Sequence, residues 1–250
     1  MSGHSHWSKI KRAKASTDAR RGRLWSKLAR RIIVAAKSGG GNPEENLQLR
    51  YAIDEARAEN MPSDTIKNAI KKGTGELGTA SYEEVLYEGY GSGGVAVMCE
   101  VLTDNRNRTA PELRKIFEHA AGQLGQTGCV AWMFKKKGAF AVPADKVEED
   151  ALMEIALEAG ADDVTRSGDV FDVTCEPAAF GKVKQAFAKA GITTVAASIS
   201  QVASTTVAVT DIEQAQRVLR LMDNLDNHDD VQNVYANLSF DDDAVSEEAS

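Results

Sequence analysis

The sequence predicts an α+β multidomain chain that is helical at its start and strand-rich afterwards. Three observations carry this reading. Apolar residues recur with helical spacing from Thr17 to about residue 73, strand-like runs alternate with helices beyond residue 81, and residues 139 to 202 follow the order β-α-β-β-α-β. A length of 250 residues suits two or three small domains.

Residues 1 to 15, MSGHSHWSKIKRAKA, hold only Trp7 and Ile10 as large apolar groups and read as a flexible arm. From Thr17 the spacing becomes helical: Leu24, Trp25, Leu28, Ile32, Ala35 and Ala36 share one side, and the helix ends at SGGG, 38 to 41. A second helix is expected after Asn42 as cap and Pro43 at its first position, with Leu49, Ile53 and Ala56 turned inward. A third, capped by Ser63 and carrying Ile66, Ala69 and Ile70, stops at Gly73. These form an N-terminal three-helix domain, followed by the aperiodic linker GTGELGTAS.

Next, 84 to 90 and 95 to 102 read as strands joined through GSGG, a hairpin signal. A helix from about 109 to 124 follows, with Thr109 and Glu112 spaced as a capping box, and short strands at 129 to 134 and 139 to 142 flank a KKKG turn. Helix 146 to 159, strands 162 to 166 and 170 to 175, helix 178 to 190 and strand 195 to 202 then complete a ferredoxin-like unit that begins with the strand at 139. Another β-α-β, strands at 205 to 209 and 231 to 239 around a helix from 211 to about 225, is too small to stand alone and completes a domain if it pairs with residues 82 to 134. The expected plan is therefore a helical domain over 1–80, an α+β domain over 81–134 plus 205–240, and a ferredoxin-like domain, 135–204, inserted into it. The acidic tail, 241–250, is expected to be disordered.

Charge is segregated along this plan. Residues 1 to 37 hold eleven Lys or Arg against one acid, Asp18, whereas residues 81 to 250 carry a net −15 within an overall −7. Such asymmetry points to a basic arm or domain that meets a polyanion. Trp7, Lys9, Lys11, Arg12, Lys14, Arg20, Arg21, Arg23, Lys27, Arg30, Arg31 and Lys37 are the candidate nucleic-acid-binding residues. On the first helix, Arg20, Arg23, Lys27, Arg30, Arg31 and Lys37 fall opposite the apolar side, so an outward stripe is expected, and reversing Arg23, Lys27 and Arg30 should flatten the salt dependence of binding. Trp7 either stacks on unpaired bases or docks on the bundle. Helices two and three read first as an ordinary packed corner, such as any three-helix bundle has, and only weakly as a helix-turn-helix with Lys67, Asn68, Lys71 and Lys72 on its reading helix. In TDNRNRT, 103 to 109, Arg106 and Arg108 are possible secondary phosphate contacts, or the segment simply builds a turn.

Other classes are excluded or unsupported. No apolar run approaches the roughly 18 to 20 residues needed to cross a bilayer. Cys99, Cys129 and Cys175 are far apart and odd in number, which fits a reducing cytoplasm better than a disulfide framework or a zinc site. GYGSGG lacks the Lys and Ser/Thr of a phosphate loop, and DNLDNHDD lacks the glycine and glutamate of a calcium loop. His119 and His228 stand apart and no nucleophile has a recognisable setting, so neither an enzyme nor a cofactor, metal or small-molecule substrate is expected, and a monomer is the expected state.

The motifs together resemble the YebC family. They are GHSHW (3–7), KASTDARRG (14–22), AAKSGGGNP (35–43), NMPSDTI (60–66), YEGYGSGG (87–94), LTDNRNRT (102–109) and LGQTGCVAWMF (124–134), with weaker similarity at VQNVYANL (231–238). The resemblance spans essentially the whole chain and implies the same three-domain plan. It also implies a partner, either DNA, as for transcriptional regulators, or ribosomal RNA on the ribosome, as for factors that aid translation. His6 stands where the family commonly has Lys, and Ala121 stands where the first glycine of a pair is common.

Overall fold

The computed structural model describes residues 18–78 and 81–240. The helical part comprises α1 (Asp18–Gly39), α2 (Leu47–Ala58) and α3 (Ser63–Gly73), wrapped around Leu28, Ile32, Leu49, Ile53, Ala56, Ile66 and Ala69. α2 starts later than expected because Asn46, not Asn42, caps it. The buried Asn46 side chain accepts from the Leu49 amide at 3.1 Å and donates to the carbonyls of Ala35 and Gly40 at 2.7 and 2.9 Å, tying α2 to α1. Asn42 instead shapes the preceding turn by accepting from the Glu44 amide. Ser63 opens α3 but makes no capping bond, the cap position being Pro62. Gly73 ends α3 where it meets α1, since a Cβ there would lie 2.5 Å from the Ile33 carbonyl oxygen.

Next come β1 (Glu83–Tyr90), β2 (Ala96–Thr103), α4 (Arg106–His119), β3 (Gln123–Leu124), β4 (Phe134–Pro143), α5 (Glu149–Ala159), β5 (Ala161–Ser167) and β6 (Val170–Cys175). α6 (Phe180–Lys189), β7 (Ala196–Ala203), β8 (Val207–Val209), α7 (Ile212–Asp226), β9 (Val231–Ala236) and β10 (Leu238–Phe240) complete the chain. One antiparallel sheet, in the order β3-β1-β2-β9, shares a core with α4 and α7 through Val97, Cys99, Leu113, Phe117, Val218 and Leu221. A second, also antiparallel, has the order β5-β6-β4-β7, which with α5 and α6 is the ferredoxin-like arrangement. Its sequence lies between segments of the first, so the fold is α+β with a ferredoxin-like domain inserted. The two sheets meet through a small cluster of Ala96, Met98, Val130, Phe134 and Tyr235.

Three local expectations are corrected. α4 begins at Arg106 because Asn105 caps it, accepting from the Arg108 amide at 3.1 Å; Thr109 is buried one turn further on and serves a different purpose, described below. The same helix ends at His119, since the chain turns through Ala121, with a positive φ of 54°, into β3. Ala121 carries the strain that a glycine would relieve, whereas close backbone approach belongs to Gly122, where a Cβ would be 2.7 Å from the Tyr90 carbonyl oxygen. Finally, KKKG is no turn but the middle of β4: Gly138 lets the strand pass Cys175 and Phe180, atoms that a Cβ would approach to 2.6 and 2.9 Å.

Candidate nucleic-acid interface

α1 buries two faces. The apolar one packs on α2 and α3 as its periodicity requires; the basic one docks on the turn between α7 and β9 rather than facing solvent. Arg23 donates to the Asn227 side chain at 3.3 Å. The Lys27 ammonium, only 6% exposed as a residue, bonds the Asp226 carbonyl oxygen and its carboxylate, the latter at 3.3 Å. Arg30 bonds the Asp229 carbonyl, pairs with the Asp230 carboxylate at 3.2 Å and lies over the Tyr82 ring. Arg31 forks onto Glu55 at 2.9 Å and reaches Gln232 and Asn233 at 3.3 and 3.0 Å. The outward stripe is therefore corrected for these four residues.

The physical reason is that α7 ends at Asp226, so its last carbonyls and the aspartates just beyond them present an anionic surface of the kind a phosphate backbone offers. Lys27 and Arg30 complement that helix end. Asp230 is the centre of this contact. It is 2% exposed and accepts from Thr109 and Arg108, both at 2.7 Å, in addition to pairing with Arg30. Burial alone would raise its carboxyl, but the Thr109 and Arg108 hydrogen bonds and the charges of Arg30 and Arg108 outweigh it and hold the group below the ordinary aspartate range. Beside it, His228 spans to Glu112 at 3.0 Å and accepts from the Asp230 amide.

A polar chain extends from the same contact. Asn233, held by Arg31, donates to Glu100 at 2.8 Å, and the Tyr235 hydroxyl donates to the same carboxylate oxygen at 3.0 Å. Burial, together with that carboxylate, pushes the Tyr235 phenol up, so it stays a neutral donor at every physiological pH.

Arg106 and Arg108 also fail to stand free as phosphate contacts. Arg106 pairs with Glu83 at 2.9 Å, and Arg108 bridges Asp104 and Asp230 at 3.1 and 2.7 Å. Trp7, Lys9, Lys11, Arg12 and Lys14 lie outside the described residues, as does the side chain of Arg20. Arg21 and Lys37 are exposed on α1. On α3, Ile66 and Ala69 are buried against α1 and α2 while Lys67, Asn68, Lys71 and Lys72 are exposed. Of these lysines only Lys67 has an ion pair among the described residues, with Asp64 at 3.7 Å. The helix-turn-helix corner and the ordinary packed corner both fit this arrangement, and among the described residues α3 offers an open basic helix face.

Among the described residues, no group of three His, Cys, Asp or Glu side chains is arranged to hold a metal, and no helix is long and apolar enough to cross a membrane. Comparison with known proteins bears on what remains. Residues 5–76 match the model for the TACO1/YebC protein N-terminal domain, and residues 82–238 match that for the TACO1/YebC second and third domain. The chain is 52% identical over 244 residues to a probable transcriptional regulatory protein of Pelotomaculum thermopropionicum, covering 97% of this chain and 100% of that one. It is 53% identical over 248 residues to one of Desulfatibacillum aliphaticivorans, covering 99% and 100%. A crystal structure of a conserved hypothetical protein from Aquifex aeolicus superposes with a TM-score of 0.80 at 47% identity, covering 91% of this chain and 94% of that one. With both halves matched and the same layout in a solved relative, the chain belongs to the TACO1/YebC family.

Proposed function

We propose that this chain is a non-enzymatic, cytoplasmic regulator of gene expression that binds nucleic acid through the outward face of α3 and the basic arm that precedes α1. The observation that carries this reading is the division of labour between helices. The cations of α1 are largely engaged inside the protein, while Lys67, Lys71 and Lys72 line one exposed face of a helix anchored from behind by Ile66 and Ala69. Repeating cations on a rigid helix suit repeating phosphates, and Asn68 among them supplies a group able to hydrogen-bond a base edge. Trp7, Lys9, Lys11, Arg12, Lys14 and Arg20 would extend the basic surface. Relatives named probable transcriptional regulatory proteins favour duplex DNA as the partner.

A second reading, RNA on the ribosome, is favoured by an aromatic surface on the acidic part of the chain, taken up below. The two are separated by parallel measurements on the intact protein. The DNA reading expects saturable binding to promoter fragments with a sequence preference that survives physiological salt. The ribosome reading expects co-sedimentation with ribosomes that weakens when residues 1 to 15 are deleted. Purely nonspecific retention of DNA contradicts the first, and free sedimentation of the intact protein contradicts the second.

A further inference from the structure

The segment between β3 and β4 contains an arrangement that packing alone does not explain. Trp132 is 69% exposed, the largest apolar side chain so exposed among the described residues. Yet it is not loosely held. Its indole N–H donates to the Cys129 carbonyl at 3.1 Å, and the hydroxyl of Tyr90, also exposed, donates to the same oxygen at 3.0 Å. Two aromatic side chains from distant parts of the sequence thus converge on one carbonyl, each with its polar atom satisfied. What they leave for a partner is ring surface.

Beneath them the backbone is pinned by a buried carboxylate. Glu88, 2% exposed, accepts from the amides of Gly128, Val130 and Ala131 at 2.7, 2.8 and 2.7 Å, and the Glu88 carbonyl accepts from the Gly125 amide at 2.8 Å. Three charge-assisted bonds fix the loop before any ligand arrives, which keeps the entropic cost of binding low.

The surroundings are basic. Between residues 119 and 144 there are three lysines and no acidic residue, against a strongly acidic background elsewhere beyond residue 81. Lys137 is neutralised by Asp162 and Glu176 at 2.6 and 3.2 Å, whereas the exposed Lys135 and Lys136, which follow Trp132 within four residues, form no ion pair among the described residues. A fixed, exposed ring pair followed in the chain by unpaired cations matches what a single strand of nucleic acid offers, flat base faces strung on phosphates.

We propose that Trp132 and Tyr90 form a stacking platform for unpaired RNA bases, with Lys135 and Lys136 meeting the adjoining phosphates. This rests on the reading that the partner is a nucleic acid and adds a second contact, distant in sequence from α3. RNA is the fitting occupant because its loops and bulges present splayed bases, whereas genomic DNA keeps its bases paired and stacked.

Fluorescence anisotropy of labelled oligouridylate, a deoxy strand of matching length and an RNA duplex tests this on the full chain. Trp132→Ala is expected to weaken oligouridylate binding by about 5- to 150-fold, the equivalent of roughly 1–3 kcal/mol for a lost base stack, with duplex binding unchanged. Trp132→Phe should retain most of the affinity, and because the ring is exposed both variants should melt like the parent. Unchanged oligouridylate affinity in Trp132→Ala, while Lys67→Glu/Lys71→Glu/Lys72→Glu still loses binding, overturns the platform and leaves the nucleic-acid reading standing. Tighter Trp132-dependent binding of the deoxy strand overturns RNA as the occupant. Absence of oligouridylate binding by the parent protein, with promoter fragments still bound, overturns the platform and leaves the duplex-DNA reading standing; absence of binding to all of these nucleic acids overturns both.

Discussion

Asp230→Ala is expected to destabilise the folded chain by about 3–5 kcal/mol, the usual cost of removing one partner from a buried ion pair. The carboxylate is the common acceptor for Thr109, Arg108 and Arg30, drawn from α4 and α1, so its loss removes the buried charge that ties the helical part to the sheet part of the molecule. Urea denaturation would show a lowered midpoint, and a loss under about 1 kcal/mol would mean that solvent already screens the cluster. The same group makes a pH prediction. Because its carboxyl is held below the ordinary aspartate range, its contribution is complete above the unfolded value of about 4 and is lost as pH falls through the lower folded value. Stability of the parent should therefore drop steeply at acid pH, and Asp230→Asn should lack this component.

Glu88→Ala is expected to cost about 2–3 kcal/mol, since the buried Val130 amide and the part-buried contacts from Gly128 and Ala131 lose their common acceptor. The effect has a local signature. Hydrogen exchange at Gly128, Val130 and Ala131 should accelerate well beyond the rest of the sheet domain, because the loop they hold would open before global unfolding. Amides that stay protected in this variant would show that the packing of Val130 and Phe134, rather than the carboxylate, holds the loop.

Much of the fold was legible in the sequence because it depends on periodicity. The apolar spacing of α1 marked its core side, and the alternation of strands and helices from β4 to β7 set the ferredoxin-like order. What escaped depends on partners remote in the chain. Arg23, Lys27, Arg30 and Arg31 meet residues 199 to 204 positions away, and a stripe that will dock on a polar surface has the same spacing as one facing water. The signal available in the sequence is the complementary one: four aspartates within DNLDNHDD, two in the last turn of an amphipathic helix and two just beyond it. Likewise Asn105, Asn107 and Thr109 are all capable caps, and only the position of Asp230 decides that Thr109 turns inward. The three lysines of KKKG read as a turn because the neighbours that demand Gly138, Cys175 and Phe180, come from elsewhere in the sequence. Glu88 gave one hint, an acid within a strand beside apolar residues, while Trp132 stood inside a recognised motif without an assigned purpose.

The helical domain directs one set of cations inward and another outward. The most direct test of this division is the salt dependence of nucleic-acid affinity in two variants measured alongside the parent. Reversing Lys67, Lys71 and Lys72 should lower the log-log slope by about 2 to 3, at roughly 0.7 to 0.9 per phosphate contact, with the melting temperature little changed. Lys27→Met should lower the melting temperature and leave the slope as it was. A slope that falls with Lys27 and ignores the three lysines of α3 would contradict the account.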